Sequence, residues 1–145
     1  TLIELLVVIA IIGILASVVL ASLNKAREKG ASVVIKSNLS GVRGQAEIFY
    51  DINNGDYSTA THATYPLSGC TTADAVFMEA TIQNQITAIT NINIAPTCSL
   101  GGTNGQKASK WSMYAPLKPG GNWCVDSIGT SVTGTDSNGD GDCGA

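Results

Sequence analysis

The chain has 145 residues, of which 44% are hydrophobic and 13% are charged, and its formal net charge is −3. After an apolar N-terminal segment is set aside, this length suits one modest globular domain. The slightly acidic balance does not favour a nucleic-acid binder, which needs a surplus of Lys and Arg to neutralise phosphates, so no specific nucleic acid is expected as a partner.

Residues 1–24 are the first segment, an apolar run that contains one charge. From Leu5 to Asn24 no side chain is ionisable over 20 residues, which corresponds to roughly 30 Å of helix. This predicts a membrane span, because the run is too long for the apolar part of a secretory signal. The one charge is Glu4. Ionisable groups beside a span are costly and usually functional, so Glu4 is predicted to need a partner from outside its own first turn.

The run Thr1-Leu-Ile-Glu4-Leu-Leu-Val-Val-Ile-Ala-Ile-Ile-Gly13-Ile-Leu-Ala closely resembles the mature N-terminus of type IV pilins and type II secretion pseudopilins. The resemblance covers residues 1–25 closely and residues 26–55 loosely. In that family a prepilin peptidase removes a basic leader, and an N-methylated aromatic residue directly precedes the Thr-Leu-Ile-Glu run. We therefore expect that residue to lie outside this numbering.

The resemblance also implies roles for three residues in subunit assembly, namely Thr1, Glu4 and Gly13. The carboxylate of Glu4 would meet the N-terminal amine of a neighbouring subunit. Many family members carry a proline near the position of Ala21, and their helix stretches between Gly13 and that proline. Here the first proline is Pro66. Because an interior proline disfavours helix by about 3 kcal/mol and a glycine by about 1 kcal/mol, local melting is less strongly encoded in this sequence.

Residues 25–54 continue the helix as an amphipathic segment. Apolar residues recur there at steps of three and four, at Ala31, Ile35, Leu39, Val42, Ala46 and Phe49. This spacing predicts one buried stripe, and Asn53-Asn54-Gly55 predicts the end of the helix. A single helix over residues 2–53 would be about 78 Å long.

Basic residues concentrate just after the apolar run, at Lys25, Arg27, Lys29, Lys36 and Arg43. A basic cluster beside a span normally marks the cytoplasmic side, but the resemblance reverses this, because the removed leader would carry the cytoplasmic charges. Two interpretations remain open. The cluster is either a solvated helix face, or it contacts anionic lipid headgroups or acids of neighbouring subunits.

Residues 55–145 are predicted to form a globular head of the α+β class. We expect a loop over residues 57–69 that exposes the single histidine, His62. A second helix would begin near Thr72 and bury a stripe of Met78, Ile82, Ile86 and Ile89. Strands over residues 107–117 and 121–128, joined by the turn 118–121, would form a small antiparallel sheet on the striped half of the long helix. The resemblance implies that this arrangement is the pilin fold.

The four cysteines, Cys70, Cys98, Cys124 and Cys143, predict two disulfides in an oxidising compartment. Three pairings are possible. The pairing Cys70–Cys98 with Cys124–Cys143 is favoured, because it closes loops of moderate length that do not cross. Each bond would stabilise the head by about 2–4 kcal/mol.

The C-terminal tail contains alternating oxygen-bearing side chains at Asp136, Asn138, Asp140 and Asp142, with Gly141 between the last two. This matches the start of an EF-hand-like calcium loop. No glutamate follows at the usual position within this sequence, so any affinity would be modest. The alternative is an acidic turn tied down by Cys143. No cofactor is expected to be required, and Ca²⁺ is the one candidate.

These features predict a structural protein, with no enzyme activity. One histidine excludes His-pair metal motifs, and Gly101-Gly102 lacks the Lys-Ser/Thr of a phosphate loop. We expect the major pilin of a type IV pilus, a homo-oligomeric filament. It would lie in the inner membrane before the pilus assembly machinery extracts it and outside the cell afterwards. The alternatives are a pseudopilin of a short periplasmic filament, or a single-span membrane-anchored binding module. A module would need a ligand surface, and only Trp111, Tyr114 and Trp123 suggest one.

Overall fold

A computed structural model describes residues 1–144 of the chain. Two helices and five strands are joined by turns, in the order α1 (Leu2–Ile52), β1 (Leu67–Ser68), α2 (Ala80–Thr90), β2 (Thr97–Gly102), β3 (Ala108–Pro116), β4 (Asn122–Asp126) and β5 (Ser131–Thr133). The strands form one sheet in sequence order, with every neighbouring pair antiparallel. The expected α+β class, with a long N-terminal helix packed on an antiparallel sheet, is confirmed.

Helix α1 follows its predicted pattern in the middle of the stripe, whereas Ala31 and Phe49 at the two ends of the stripe are only half-buried. Ile35, Leu39, Val42 and Ala46 are completely buried, because their spacing places them on one side of the helix, facing α2 and the sheet. The helix ends at Ile52, where Asn54 and Gly55 take the left-handed conformation at φ 61° and 85°. The predicted stop at Asn53-Asn54-Gly55 is therefore confirmed.

The core of the head lies between the two helices and the central strand β3. Trp111, Met113 and Ala115 of β3 point into it and are fully buried, as the alternation in this strand predicts. From α2, Ile82 and Ile89 complete the core. The turn 118–121 joins β3 to β4 as expected.

The second helix begins later than the sequence suggests. The expected start at Thr72 is wrong, since a short 3-10 turn at Val76–Met78 comes first and α2 starts at Ala80. The cap is Glu79, whose carboxylate accepts the N–H groups of Thr81 at 2.8 Å and Ile82 at 3.0 Å. Met78 therefore lies outside the stripe and is 49% exposed.

The sheet is larger than the two strands that the sequence predicts. β2 pairs with β3 along its length, and the short strands β1 and β5 form the two edges. The expected loop over residues 57–69 is only partly a loop. It contains β1, and its first residues, Tyr57 and Ser58, are buried.

Two disulfides close the head. Cys70–Cys98 ties the segment before α2 to β2, and Cys124–Cys143 ties the tail to β4. Their Cα–Cα distances are 4.9 Å and 5.8 Å, within the usual range for disulfides. This is the pairing that the sequence favours.

Candidate functional site

The first half of α1 extends beyond the head and is exposed along its length. Every residue from 1 to 27 is exposed, so about 39 Å of helix has no cover from its own chain. No residue of its most apolar stretch is buried. Within residues 1–144, α1 is the one helix that is long and apolar enough to cross a membrane.

Glu4 lies in the first turn of this exposed half. The amine nitrogen of Thr1 donates a hydrogen bond to Oε2 of Glu4, and both side chains are 77% exposed. The structure thus gives Glu4 a partner in its own turn, whereas the sequence places that partner outside it. If a residue precedes Thr1, as the pilin resemblance implies, this nitrogen is a peptide N–H and the positive charge lies elsewhere.

Gly13 lies in the middle of the exposed half. A Cβ atom at Gly13 would meet no other heavy atom within 4 Å, so nothing in a single chain requires a glycine there. Gly13, Ser17 and Ala21 follow each other at steps of four and share one face of the helix. The Ser17 hydroxyl donates to the Ile14 carbonyl at 2.7 Å and is therefore satisfied without an outside partner.

The basic residues after the apolar half of α1 separate into two groups. Lys36 and Arg43 belong to the head. The Lys36 ammonium lies 4.2 Å from the ring centre of Trp123, and the Arg43 guanidinium donates to the carbonyls of Asp126, at 3.2 Å, and Thr130. These two cations fasten α1 to β4 and its following turn.

The other group forms a collar where α1 meets the head. We call the exposed cations Lys25, Arg27, Lys29 and Lys118 the basic collar. Lys118 is brought there by the β3–β4 turn, because its backbone bonds to the Ser32 hydroxyl. Ser32 donates to the Lys118 carbonyl at 2.8 Å and accepts the Lys118 N–H at 3.1 Å. Sequence analysis missed Lys118, since it lies 86 residues from Ser32.

The acidic side chains of the tail make hydrogen bonds within the head. Asp136 is buried, and its carboxylate accepts the Ser112 hydroxyl at 2.7 Å and the N–H groups of Gly139 and Gly141 at 2.6 Å and 2.9 Å. Asn138 donates to the Asp140 carboxylate at 3.0 Å. These bonds hold the tail as a turn on β3.

Asp142, the fourth candidate ligand, pairs with a cation of the protein. Lys110 of β3 donates to Asp142 Oδ2 at 2.6 Å, and this hydrogen bond is the main cause that raises the pKa of Lys110 above its ordinary value. Among residues 1–144 no group of three or more His, Cys, Asp and Glu side chains is arranged to hold a metal. Calcium binding stays a prediction.

Asp126 is the residue at this end of the head that sequence analysis missed. Its buried carboxylate accepts the N–H groups of Ile128 at 3.2 Å, Thr130 at 2.7 Å and Cys143 at 3.0 Å. One side chain therefore shapes the β4–β5 turn and fixes the tail. The signal available in the sequence was an Asp three residues before Gly129, a spacing typical of type I turns.

Two of the three aromatic residues considered for ligand binding are packed against other side chains of the head. Trp111 is fully buried and packs edge-on against Tyr57 and Phe77, and Trp123 is covered by Lys36. His62 is half-buried and not exposed as expected, and its Nε2 has no hydrogen-bond partner among the residues described.

Comparison of the chain with protein-family models, with curated proteins and with solved structures finds no match. The likeness to pilins therefore rests on the N-terminal run itself, and the geometry of α1 and the head carries the functional argument.

Proposed function

We propose that this protein is a structural subunit, the major pilin, of a type IV pilus. Its N-terminal helix lies first in the inner membrane and then packs against other copies in the core of a helical surface filament. The observation that carries the proposal is α1 itself. One unbroken helix of 51 residues joins an exposed apolar half to a half that is built into a disulfide-closed head.

The exposed half cannot remain in water. About 20 mostly large apolar side chains would each gain about 1.5–3 kcal/mol on burial, an upper bound of tens of kcal/mol. Lipid or other copies of the same helix can supply that burial. Compared with lipid, a filament core gains much less, because association there rests on close packing. Extraction from the membrane should therefore need the pilus assembly machinery, while the finished filament should resist dissociation.

Close packing between copies is supported by the small residues of the exposed half. Gly13, Ser17 and Ala21 leave one face without bulk, and small residues at this spacing let helix backbones approach each other. Gly13 is open to solvent in the single chain, so its lack of a side chain becomes useful only when another surface covers it.

Glu4 would set the register between subunits. In the membrane or the filament core, an unpaired carboxylate is strongly penalised, whereas a carboxylate paired with a neighbour's amine is tolerated. A pair of this kind adds little net stability, but it disfavours every arrangement that leaves a charge alone. Misregistered subunits are thereby selected against.

The test is a set of substitutions expressed with the native leader in the host cell. Glu4→Leu and Glu4→Gln should leave the amount of protein in the membrane fraction unchanged and remove most filaments from sheared surface material. Asp51→Asn is the matched control, because Asp51 is an exposed acid near the other end of α1. Electron microscopy and mass spectrometry of the sheared fraction give the readout. Normal filaments from both Glu4 variants would refute the role of Glu4.

The pseudopilin alternative places the same fold in a short periplasmic filament of type II secretion. The calcium-like tail favours it, because some pseudopilins place calcium near their C-terminal loops, whereas the disulfides favour a surface pilus. Abundant copies of this chain in surface filaments would support the pilus. A secretion defect without surface filaments in a deletion strain would support the pseudopilin.

A single-span binding module is the alternative from another class. The continuous α1 argues against it, because a tethered module gains reach from a flexible linker, and here the span enters the head as helix. The module would stay monomeric in the membrane under conditions in which a pilin assembles.

Calcium is a separate proposal that applies to either filament. Ligand binding to the folded state alone raises the melting temperature, so Ca²⁺ at millimolar concentration should raise it if the tail binds the ion. Because the carboxylates of Asp136 and Asp142 already accept hydrogen bonds, a response would require them to rearrange. An unchanged melting temperature at millimolar Ca²⁺, with Mg²⁺ as the control ion, would end the calcium interpretation.

A further inference from the structure

We propose that the cleft between α1 and the β3–β4 turn binds the headgroup of an anionic phospholipid, of the phosphatidylglycerol type, while the subunit is in the membrane. The inference rests on the proposed function in one respect, namely that the exposed half of α1 lies in a bilayer before assembly. The proposal adds a lipid-binding site to that function. Because this site would hold a headgroup, it would also fix the depth of the subunit in the membrane.

The cleft is formed by tertiary structure. It has a volume of about 390 Å³ and is lined by Asn24, Arg27, Glu28, Ala31 and Lys118. The two bonds between Ser32 and the backbone of Lys118, at 2.8 Å and 3.1 Å, hold the turn against the helix. The backbone of Lys118 is thereby held against the helix, and two cations from distant parts of the chain, Arg27 and Lys118, line one opening.

The cleft lies at the depth of lipid headgroups. The run without ionisable side chains ends at Asn24, and a run of this length matches a hydrocarbon layer of about 30 Å. Residues 25–29 continue the same helix for about 7.5 Å, which is the thickness that polar headgroups occupy on one side of a bilayer. The basic collar is therefore continuous with the membrane-spanning surface.

The charges of the cleft select an anion that also carries hydroxyl groups. No ion pair within residues 1–144 involves Arg27 or Lys118, so both are free to bind a phosphate. Arginine does so through two parallel hydrogen bonds, and lysine does so as a point charge. Glu28 lines the same cleft and can accept a hydrogen bond from a headgroup hydroxyl. A choline headgroup offers neither a net negative charge nor a hydroxyl.

The test uses the full chain, purified in detergent and mixed with phosphatidylglycerol or phosphatidylcholine of equal acyl length. Native mass spectrometry measures the lipid bound per protein. The double variant Arg27→Gln with Lys118→Gln removes both cations and retains the backbone bonds to Ser32. Lys107→Gln is the matched control, since Lys107 is a cation of the head that pairs with Asp56 at 3.5 Å. Circular dichroism shows that each variant is folded.

Wild type and Lys107→Gln should prefer phosphatidylglycerol, and the double variant should lose that preference. A cation near an anionic surface changes binding by about fivefold, so two cations should change it by about twenty-five-fold. Equal binding of both lipids by wild type, or an unchanged preference in the double variant, would overturn the proposal. Displacement of the lipid by millimolar inorganic phosphate would also overturn it, because the site would then belong to a soluble anion.

Two further outcomes distinguish a lipid site from a contact between subunits and from a span that does not insert. If the double variant shows wild-type lipid binding but forms no filaments, the collar contacts acids of a second copy and the lipid proposal fails. If wild type is extracted from membranes by alkaline carbonate, the span does not insert. That result contradicts the proposed function itself and is distinct from a failure of lipid selectivity in an inserted subunit.

Discussion

Gly101 of β2 should be the least replaceable glycine of the head. It is buried beneath the tail, and a Cβ atom added to it would lie 1.5 Å from the carbonyl oxygen of Asp140. The atom in the way belongs to the backbone, so no rotation of a side chain can relieve the clash. In Gly101→Ala the tail must retreat by about 1.5 Å to reach a tolerated contact.

The loss of stability in Gly101→Ala follows from the hydrogen bonds of the tail that this movement breaks. The residue after Asp140 is Gly141, whose N–H donates to the Asp136 carboxylate at 2.9 Å, and Asp142 beyond it pairs with Lys110. A hydrogen bond to a charged group contributes about 1.5–3 kcal/mol, and a half-exposed ion pair contributes about 1 kcal/mol or less. Gly101→Ala should therefore lower the free energy of unfolding by about 2–4 kcal/mol. In a head of this size the melting temperature should fall by at least about 6 °C.

The assay compares this variant with Gly120→Ala. Gly120 lies in the β3–β4 turn, and a Cβ atom there would meet nothing within 4 Å, so this control should melt within about 1–2 °C of wild type. Near-ultraviolet circular dichroism follows unfolding of the head in detergent, and hydrogen exchange follows residues 134–143. A Gly101→Ala protein with the melting temperature of Gly120→Ala and an unchanged tail would refute the reasoning.

Three further predictions concern the head. In the wild type the Cys143 N–H donates to the Asp126 carboxylate at 3.0 Å. Asp126→Asn places an amide N–H₂ or an uncharged oxygen there, so chemical denaturation should show that the free energy of unfolding falls by about 2–4 kcal/mol. Equal stability of the variant and the wild type would show that this bond is dispensable. Leu39→Ala empties a fully buried site between the helices and the sheet and should cost about 2–5 kcal/mol, while a loss below about 1 kcal/mol would place Leu39 outside the core. Lys110→Met should destabilise the head at neutral pH only modestly. Because the hydrogen bond to Asp142 raises the pKa of Lys110, its contribution is complete below the ordinary lysine pKa and is lost as pH rises through the raised value; a difference between wild type and variant that persists at higher pH would contradict this assignment.

Much of the fold is readable in the sequence where a pattern repeats locally. The steps of three and four from Ile35 to Ala46 place the buried stripe of α1, and Asn54-Gly55 ends it. Alternation places Trp111 and Met113 inside β3. Each of these signals works because the residues that decide the structure lie within one or two turns, or a few strand positions, of one another.

The sequence-based predictions fail where a residue's conformation depends on a contact that is distant in sequence, or where a nearby residue makes a competing hydrogen bond. Thr72 is a suitable cap by residue type, but its hydroxyl donates to the Gly69 carbonyl at 2.9 Å, and Glu79 caps α2 instead. β2 contains Gly101, which weakens its strand signal, and that glycine is required by the tail packed across it. Neither preference is visible before the chain is folded.

The same division applies to the candidate site. By itself, the sequence determined the exposed apolar half of α1 and the position of Glu4 in it, because both depend only on the order of residues along one helix. Tertiary structure alone decided that Lys36 and Arg43 contact the head. It also decided that Lys118 belongs to the basic collar. The physical reason is that the bond between Ser32 and Lys118 closes a separation of 86 residues, and no local pattern records which distant segment a polar side chain will meet.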